Sequence, residues 1–212
     1  MAETYPLDFP SSVPIKSISL TARHLVGQTV SPYTLTTQQF KFSGERWEGT
    51  IQFPPMKRDD AEVLNAFLVR LKGAYGSFRL IAPEYTSIRG AAGYALIDGA
   101  SQTGDEIDVD FKTSGGSATG SLTDAVKVGQ YIQLGSDSGS PTLHKVLESV
   151  DADSSSKGTI KIFPGLRTSP GDTDTVSFAD PMGTFRLQDN AVTWNVDEAM
   201  FYSTSIPIAE VI

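Results

Sequence analysis

Two stretches far apart in the chain are nearly identical: Gly76-Ser77-Phe78-Arg79-Leu80 and Gly183-Thr184-Phe185-Arg186-Leu187. Each places apolar residues at alternate positions between small and charged ones, the period of a half-buried strand. A five-residue match can arise between any two strands, but the sequence between the copies changes character. Residues 89–180 hold 7 Lys+Arg against 13 Asp+Glu, a net of −6, which leaves −2 for the other 120 residues. The same segment carries 13 of the 19 glycines and 5 of the 20 aromatics. Domains bury their own cores, so two strands of one sheet separated by an inserted second domain account for this break better than a single fold does. The expected division is a discontinuous first domain, 1–88 with 181–212, and an insertion over 89–180.

Within the first domain, residues 3–14 hold prolines at 6, 10 and 14 and form an extended arm, of the kind that often lies along a neighbour. Ile15 to Leu25 alternates, with Ile18 and Leu20 on one face, and Thr34 to Phe42 repeats the pattern. Phe40 to Phe53 reads as a hairpin of two short runs pivoting near Gly44. A helix over 59–72 follows. Asp59 at the N-cap and Glu62 three residues on form a capping pair, and Leu64, Phe67, Leu68 and Leu71 make one apolar stripe ending at Gly73. After the second copy, Val192 to Val196 around Trp194, and Tyr202 to Val211, read as further strands.

The insertion alternates in Ile107–Phe111, Tyr131–Leu134, Val146–Val150 and Thr159–Phe163, with turns rich in Gly, Ser and Asp between. No stretch of helical period interrupts them. Short antiparallel strands of this kind close into a small barrel, which removes exposed edges.

Composition excludes several kinds of chemistry. With no cysteine there are no disulfides and no thiolate sites. A net charge of −8 argues against a surface for nucleic-acid phosphates. No stretch approaches the ~20 apolar residues of a membrane span, and no signal-peptide pattern opens the chain, so the expectation is a protein made in soluble form in a cytoplasm. Catalytic signals are thin. His24 and His144 read as ordinary strand residues, and Gly135-Ser136-Asp137-Ser138-Gly139 places Asp where a nucleophile elbow needs Ser. Asp151 to Gly158 starts like a calcium loop but has a misplaced glycine and lacks the terminal glutamate, and reads as a turn. Asp105, Glu106, Asp108 and Asp110 read as the solvated side of a strand; Asp98 and Asp124 sit in turn-like contexts. Neither an enzyme nor a cofactor is expected. What remains is an interaction protein, and its candidate contact is the mixed-charge corner Lys57, Arg58, Asp59 and Asp60 before the helix, which reads equally as a solvated cap.

The order of parts resembles the distal tail proteins of long, non-contractile-tailed bacteriophages. It runs from a β meander through the Phe40–Phe53 hairpin, the helix and the first Gly-Ser-Phe-Arg-Leu strand to an inserted barrel, then the second copy and Trp194. Within the insertion, Val128-Gly129-Gln130-Tyr131-Ile132, Leu143-His144-Lys145-Val146 and Ile162-Phe163-Pro164-Gly165-Leu166-Arg167 are similar to a pattern in such tail-tip proteins. The resemblance implies a mainly β protein with one helix. A β-sandwich or split-barrel domain would form a homohexameric ring, and a small OB-like antiparallel barrel would hang outside it as spacer or docking module. It also implies a virion structural protein at the distal end of the tail. The ring would join the tail tube above to hub and fibre proteins below, with the tape measure protein as a further partner and a lumen for DNA in transit. The alternative is a carbohydrate-binding tail module that recognises the host surface through the barrel.

Overall fold

A computed structural model of the chain describes residues 3–83, 89–191, 195–196, 202–203 and 205–212. The fold is mainly β with one helix, and contains a closed antiparallel barrel.

The N-terminal arm lies along its own domain. Its short strand β1 (Leu7–Asp8) pairs in parallel with the first of the two matching strands, Phe9 packs against Phe53, Phe67 and Phe78, and Val13 is buried. Strands β2 (Ser17–Val30) and β3 (Thr37–Gln52) then form one long hairpin. The expected pair of short runs turning near Gly44 is corrected here. β3 runs unbroken through Gly44, and the pairing passes from His24↔Glu45 to Val26↔Lys41, so three residues of β3 bulge opposite Leu25. The chain reverses instead at residues 31–36. There the Ser31 N–H donates to the Thr36 carbonyl at 2.9 Å, the Leu35 N–H donates to Ser31 O at 3.0 Å, and Leu35 takes a φ of 56°.

Helix α1 (Arg58–Arg70) and its C-cap Leu71 bury the anticipated stripe of Leu64, Phe67, Leu68 and Leu71, with Ala61 and Asn65 beside it. Its ends differ from the expected 59–72. Lys57, not Asp59, holds the N-cap, and no side-chain hydrogen bond closes the first turn. Asp59 and Asp60 lie inside that turn, where their charge opposes the positive end of the helix dipole. At the other end Lys72 and Gly73 both take left-handed conformations, with φ 54° and 68°, and Gly73 opens a single 3-10 turn.

The two matching strands, β4 (Ser77–Ile81) and most of β13 (Met182–Leu187), are hydrogen-bonded neighbours: Phe78 opposes Phe185 and Leu80 opposes Gly183. Between them come β5 (Tyr94–Ile97), β6 (Gly104–Lys112), β7 (Leu122–Val126), β8 (Tyr131–Leu134), β9 (Thr142–Val146), β10 (Val150–Ala152), β11 (Lys157–Leu166) and β12 (Thr175–Ser177). The run Val146–Val150, expected as one strand, instead joins the end of β9 to the start of β10. The barrel closes in the order β11-β6-β5-β12-β8-β9, one strand more than the five of an OB-fold, with β7 and β10 paired beside it. Its core is built from alternate residues such as Ile107, Val109 and Phe111 on β6 and Ile160 and Ile162 on β11.

The chain returns as β13 (Met182–Leu187), β14 (Asn195–Val196), β15 (Tyr202–Ser203) and β16 (Ser205–Glu210). Trp194, and most of the expected strand around it, lie outside the described residues. The first sheet has the order β1-β4-β13-β16-β3-β2, antiparallel except for β1 with β4. One face carries Phe78, Leu80, Phe185, Leu187, Ile206, Ile208, Ile51 and Trp47, which share a core with α1 and the arm. Tyr131, Leu143 and Phe163 of the barrel belong to that same core, so barrel and sheet are joined by packing as well as by chain connections.

Candidate functional site

The β2–β3 hairpin outruns its sheet. β16 pairs with β3 only over Glu48–Gln52, so among the described residues no strand pairs with β3 on that side beyond Glu48. Its base is held by the barrel. The Trp47 ring stands edge-on to Phe163 at 5.0 Å and to Tyr131 at 5.9 Å, and its indole N–H donates to Leu143 O at 2.9 Å. His24 lies 4.6 Å from the Phe163 ring.

Behind this base a buried carboxylate locks three segments together. Glu210, 1% exposed, accepts two parallel bonds from the Arg167 guanidinium at 2.9 and 2.8 Å and a third from the Trp47 backbone N–H at 2.9 Å. Arg167 also donates to Glu45 O at 2.9 Å. A fork of two N–H groups on one carboxylate is the strong form of this interaction and fixes orientation as well as energy. Glu45 continues the network, accepting from Lys41 and His24 and from the Gly165 N–H. Burial raises its pKa, but these partners outweigh burial and leave the carboxyl below its ordinary value.

Past this anchor the hairpin is exposed, with large apolar side chains set among uncharged polar ones. Leu25, Val26, Val30, Phe40 and Phe42 are each about half exposed, Leu35 is 76% and Tyr33 at the tip 95% exposed. Gly27 opposes Phe40, and a Cβ there would stand 3.1 Å from the Phe42 ring, so the glycine lets Phe42 lie across the strand. From Leu25 to Gly44 the only charged residue is Lys41, in a chain of net charge −8. Tyr33 and Leu35 at the turn are the most exposed of its apolar residues, and large apolar side chains clustered on a projecting tip mark a place where something binds.

The corner singled out in the sequence sits elsewhere, at the N-terminus of α1. Lys57, Arg58 and Asp59 are exposed and Asp60 half-buried, and Arg58 Nε approaches Glu62 at 3.9 Å. The structure brings these four residues together only as consecutive positions of one turn.

Most carboxylates of the barrel are engaged by the protein itself. Asp153 Oδ1 accepts from the Ser155 and Lys157 N–H groups at 2.7 and 2.8 Å, the bonds of a turn, and Asp151 accepts from the Asp124 N–H at 2.7 Å across the β7–β10 pair. On β6, Glu106, Asp108 and Asp110 share the outer side while Asp105 is out of phase. Thr159 donates to Asp108 at 2.6 Å and Lys112 to Asp110 at 2.6 Å. Among the described residues no three His, Asp or Glu side chains gather in a metal-binding arrangement.

His144 is not an ordinary strand residue. Its Nδ1 lies 2.6 Å from Pro164 O, which can only accept, so Nδ1 carries the proton and the Thr142 hydroxyl donates to Nε2 at 2.9 Å. Burial lowers its pKa to about 4, the bond to Pro164 opposing and the nearby Arg167 charge assisting. It borders a cleft of about 300 Å³ with Arg167 and Asp174. These bonds tie β9 to the end of β11, beside the Arg167–Glu210 pair. The sequence offered one signal for this cluster, a lone carboxylate closing the apolar run Ser205–Ala209, and nothing in the local pattern named its partner.

No protein-family model matches this chain, and no curated protein shows significant sequence similarity to it.

Proposed function

We propose that the protein is a non-catalytic ring subunit of a bacteriophage tail tip, a homohexameric adaptor between tail tube and tail hub with a lumen that admits DNA. The observation that carries this reading is the projecting hairpin. A subunit built for a ring must expose, in the single chain, the apolar surface that its neighbours cover, and the hairpin does so on a rigid base. The order of sheet, helix, inserted barrel and returning strand supports the same reading through the resemblance to distal tail proteins. In this arrangement the acidic barrel is the outward module and the sheet domain the ring. Tube protein, hub and fibre proteins and the tape measure protein are the axial partners. The corner Lys57-Arg58-Asp59-Asp60 is a secondary, register-setting contact between subunits.

Light scattering of the purified protein, with class averages from negative-stain images, tests the reading. The expected result is a six-membered ring with an open channel, formed alone or on added tube protein. A monodisperse monomer from micromolar to millimolar concentration that ignores tube protein overturns it.

A further inference from the structure

The exposed hairpin has a counterpart on the same molecule. At the opposite edge of the sheet, where the arm lies beside β4, an apolar cleft of about 500 Å³ opens between Phe9, Pro10, Val13, Leu80, Ile81 and Met182. Volumes of this order take a body the size of a few side chains. Asp8 and Arg79 stand at its margin and are paired with each other at 2.7 Å, so the cleft carries no net charge.

Hairpin and cleft occupy opposite ends of the strand order, β2 at one edge and β1 with β4 at the other. Five strand spacings separate them, roughly 24 Å. The hairpin therefore has no route into its own cleft by a small adjustment, and the two surfaces suit a contact between molecules. A contact joining two different patches of the same chain is heterologous, and repetition of it closes into a ring when the rotation permits.

Charge, more than area, favours a second copy as the occupant. Leu25, Phe40 and Phe42 lie on one face of the ribbon and Val26 and Val30 on the other, so a single contact covers the exposed tip, Tyr33 and Leu35, with one of these faces, a part of the roughly 800 Å² that one partner buries in an interface of standard size. Copies of a chain with net charge −8 repel, and the best meeting places are patches without carboxylates or with carboxylates already paired. The hairpin holds only Lys41, and the cleft margin holds a matched pair.

We infer that the tip of the β2–β3 hairpin, Tyr33 and Leu35, seats in the cleft beside Phe9, Leu80 and Ile81 of the next copy. This deepens the ring reading, and rests on it for the identity of the partner. Because the wild-type chain has no cysteine, the contact can be read by cross-linking. Leu35→Cys and Ser11→Cys variants are made separately and mixed under mild oxidation. A disulfide-linked dimer is expected only in the mixture, and the double variant should give a ladder that ends at the ring number. As a second arm, Tyr33→Asp with Leu35→Asp should weaken self-association about tenfold or more while far-UV circular dichroism stays unchanged, since both side chains are exposed. Rings that form without the cross-link and survive the aspartates overturn the inference and leave the ring reading standing. A hairpin that instead cross-links to tube protein overturns it in favour of an axial contact. A chain that stays monomeric with tube protein and gives no cross-link overturns both.

Discussion

At the scale of single residues, the Arg167–Glu210 pair shows most clearly how the sheet holds the barrel. Removing one partner of a buried ion pair leaves the other charged and unpaired, at a cost of about 3–5 kcal/mol, whereas apolar replacement of both can be neutral. Arg167→Met is therefore expected to lower the unfolding free energy by about 3–5 kcal/mol in urea titration, and Arg167→Met with Glu210→Leu to recover only part of that loss, because the Trp47 N–H then loses its acceptor. His144 gives the junction a pH dependence. Its pKa when folded is about 4, below the ordinary value of 6.5, so the unfolded chain binds the proton more readily. Its contribution is complete above pH 6.5 and is lost as pH falls towards 4, amounting to about 3 kcal/mol over that window. His144→Gln should flatten that part of the profile of stability against pH. The glycines of the two matching stretches have a steric reason: a Cβ on Gly76 would stand 2.6 Å from Leu71 O, and one on Gly183 would stand 2.8 Å from Leu143 Cβ.

At the scale of elements, α1 and the hairpin are stabilised differently. The helix lacks a side-chain cap, and its place depends on burial of one stripe. Phe67 touches both Phe9 and Phe78 edge-on, so Phe67→Ala is expected to cost about 3–5 kcal/mol, measurable as a fall in Tm. The Arg58–Glu62 pair on its exposed side contributes only a few tenths of a kcal/mol. The hairpin beyond its anchor buries little within the chain. Replacing residues 28–39 by Asn-Gly should leave Tm within a few degrees of the parent while abolishing the proposed ring, as read by light scattering. Periodicity identified the type of both elements. It placed the turn wrongly because Gly44, a residue of turns, here serves a bulge inside a strand.

At the scale of the whole molecule, barrel and sheet share a core, since Tyr131, Leu143 and Phe163 pack with Trp47 and the sheet. Thermal unfolding is expected to follow a single transition, with calorimetric and van't Hoff enthalpies in agreement. Excision of residues 89–180 should not yield a folded sheet domain, because it strips the cover from Trp47 and removes the partner of Glu210. Loss of near-UV circular dichroism would report this. A barrel and sheet that melt as two separate transitions would show that the junction is weaker than its buried ion pair implies.

The sequence by itself determined what depends on near neighbours along the chain. Alternation marked β6, β8 and β11 of the barrel but not β5, β9 or β12, the i, i+3, i+4, i+7 spacing marked the buried stripe of α1, and the repeated Gly-x-Phe-Arg-Leu named two strands that lie side by side. Tertiary structure alone set the length of β3, the docking of the arm on its own sheet, the junction at Glu210, and the exposure of Tyr33 and Leu35. A carboxylate at the end of an apolar strand reads the same whether it meets solvent or an arginine from another segment. An apolar hairpin likewise reads as core until the fold shows that no layer covers it. Burial is a property of what the chain brings together from afar, and local pattern carries only half of each such pair.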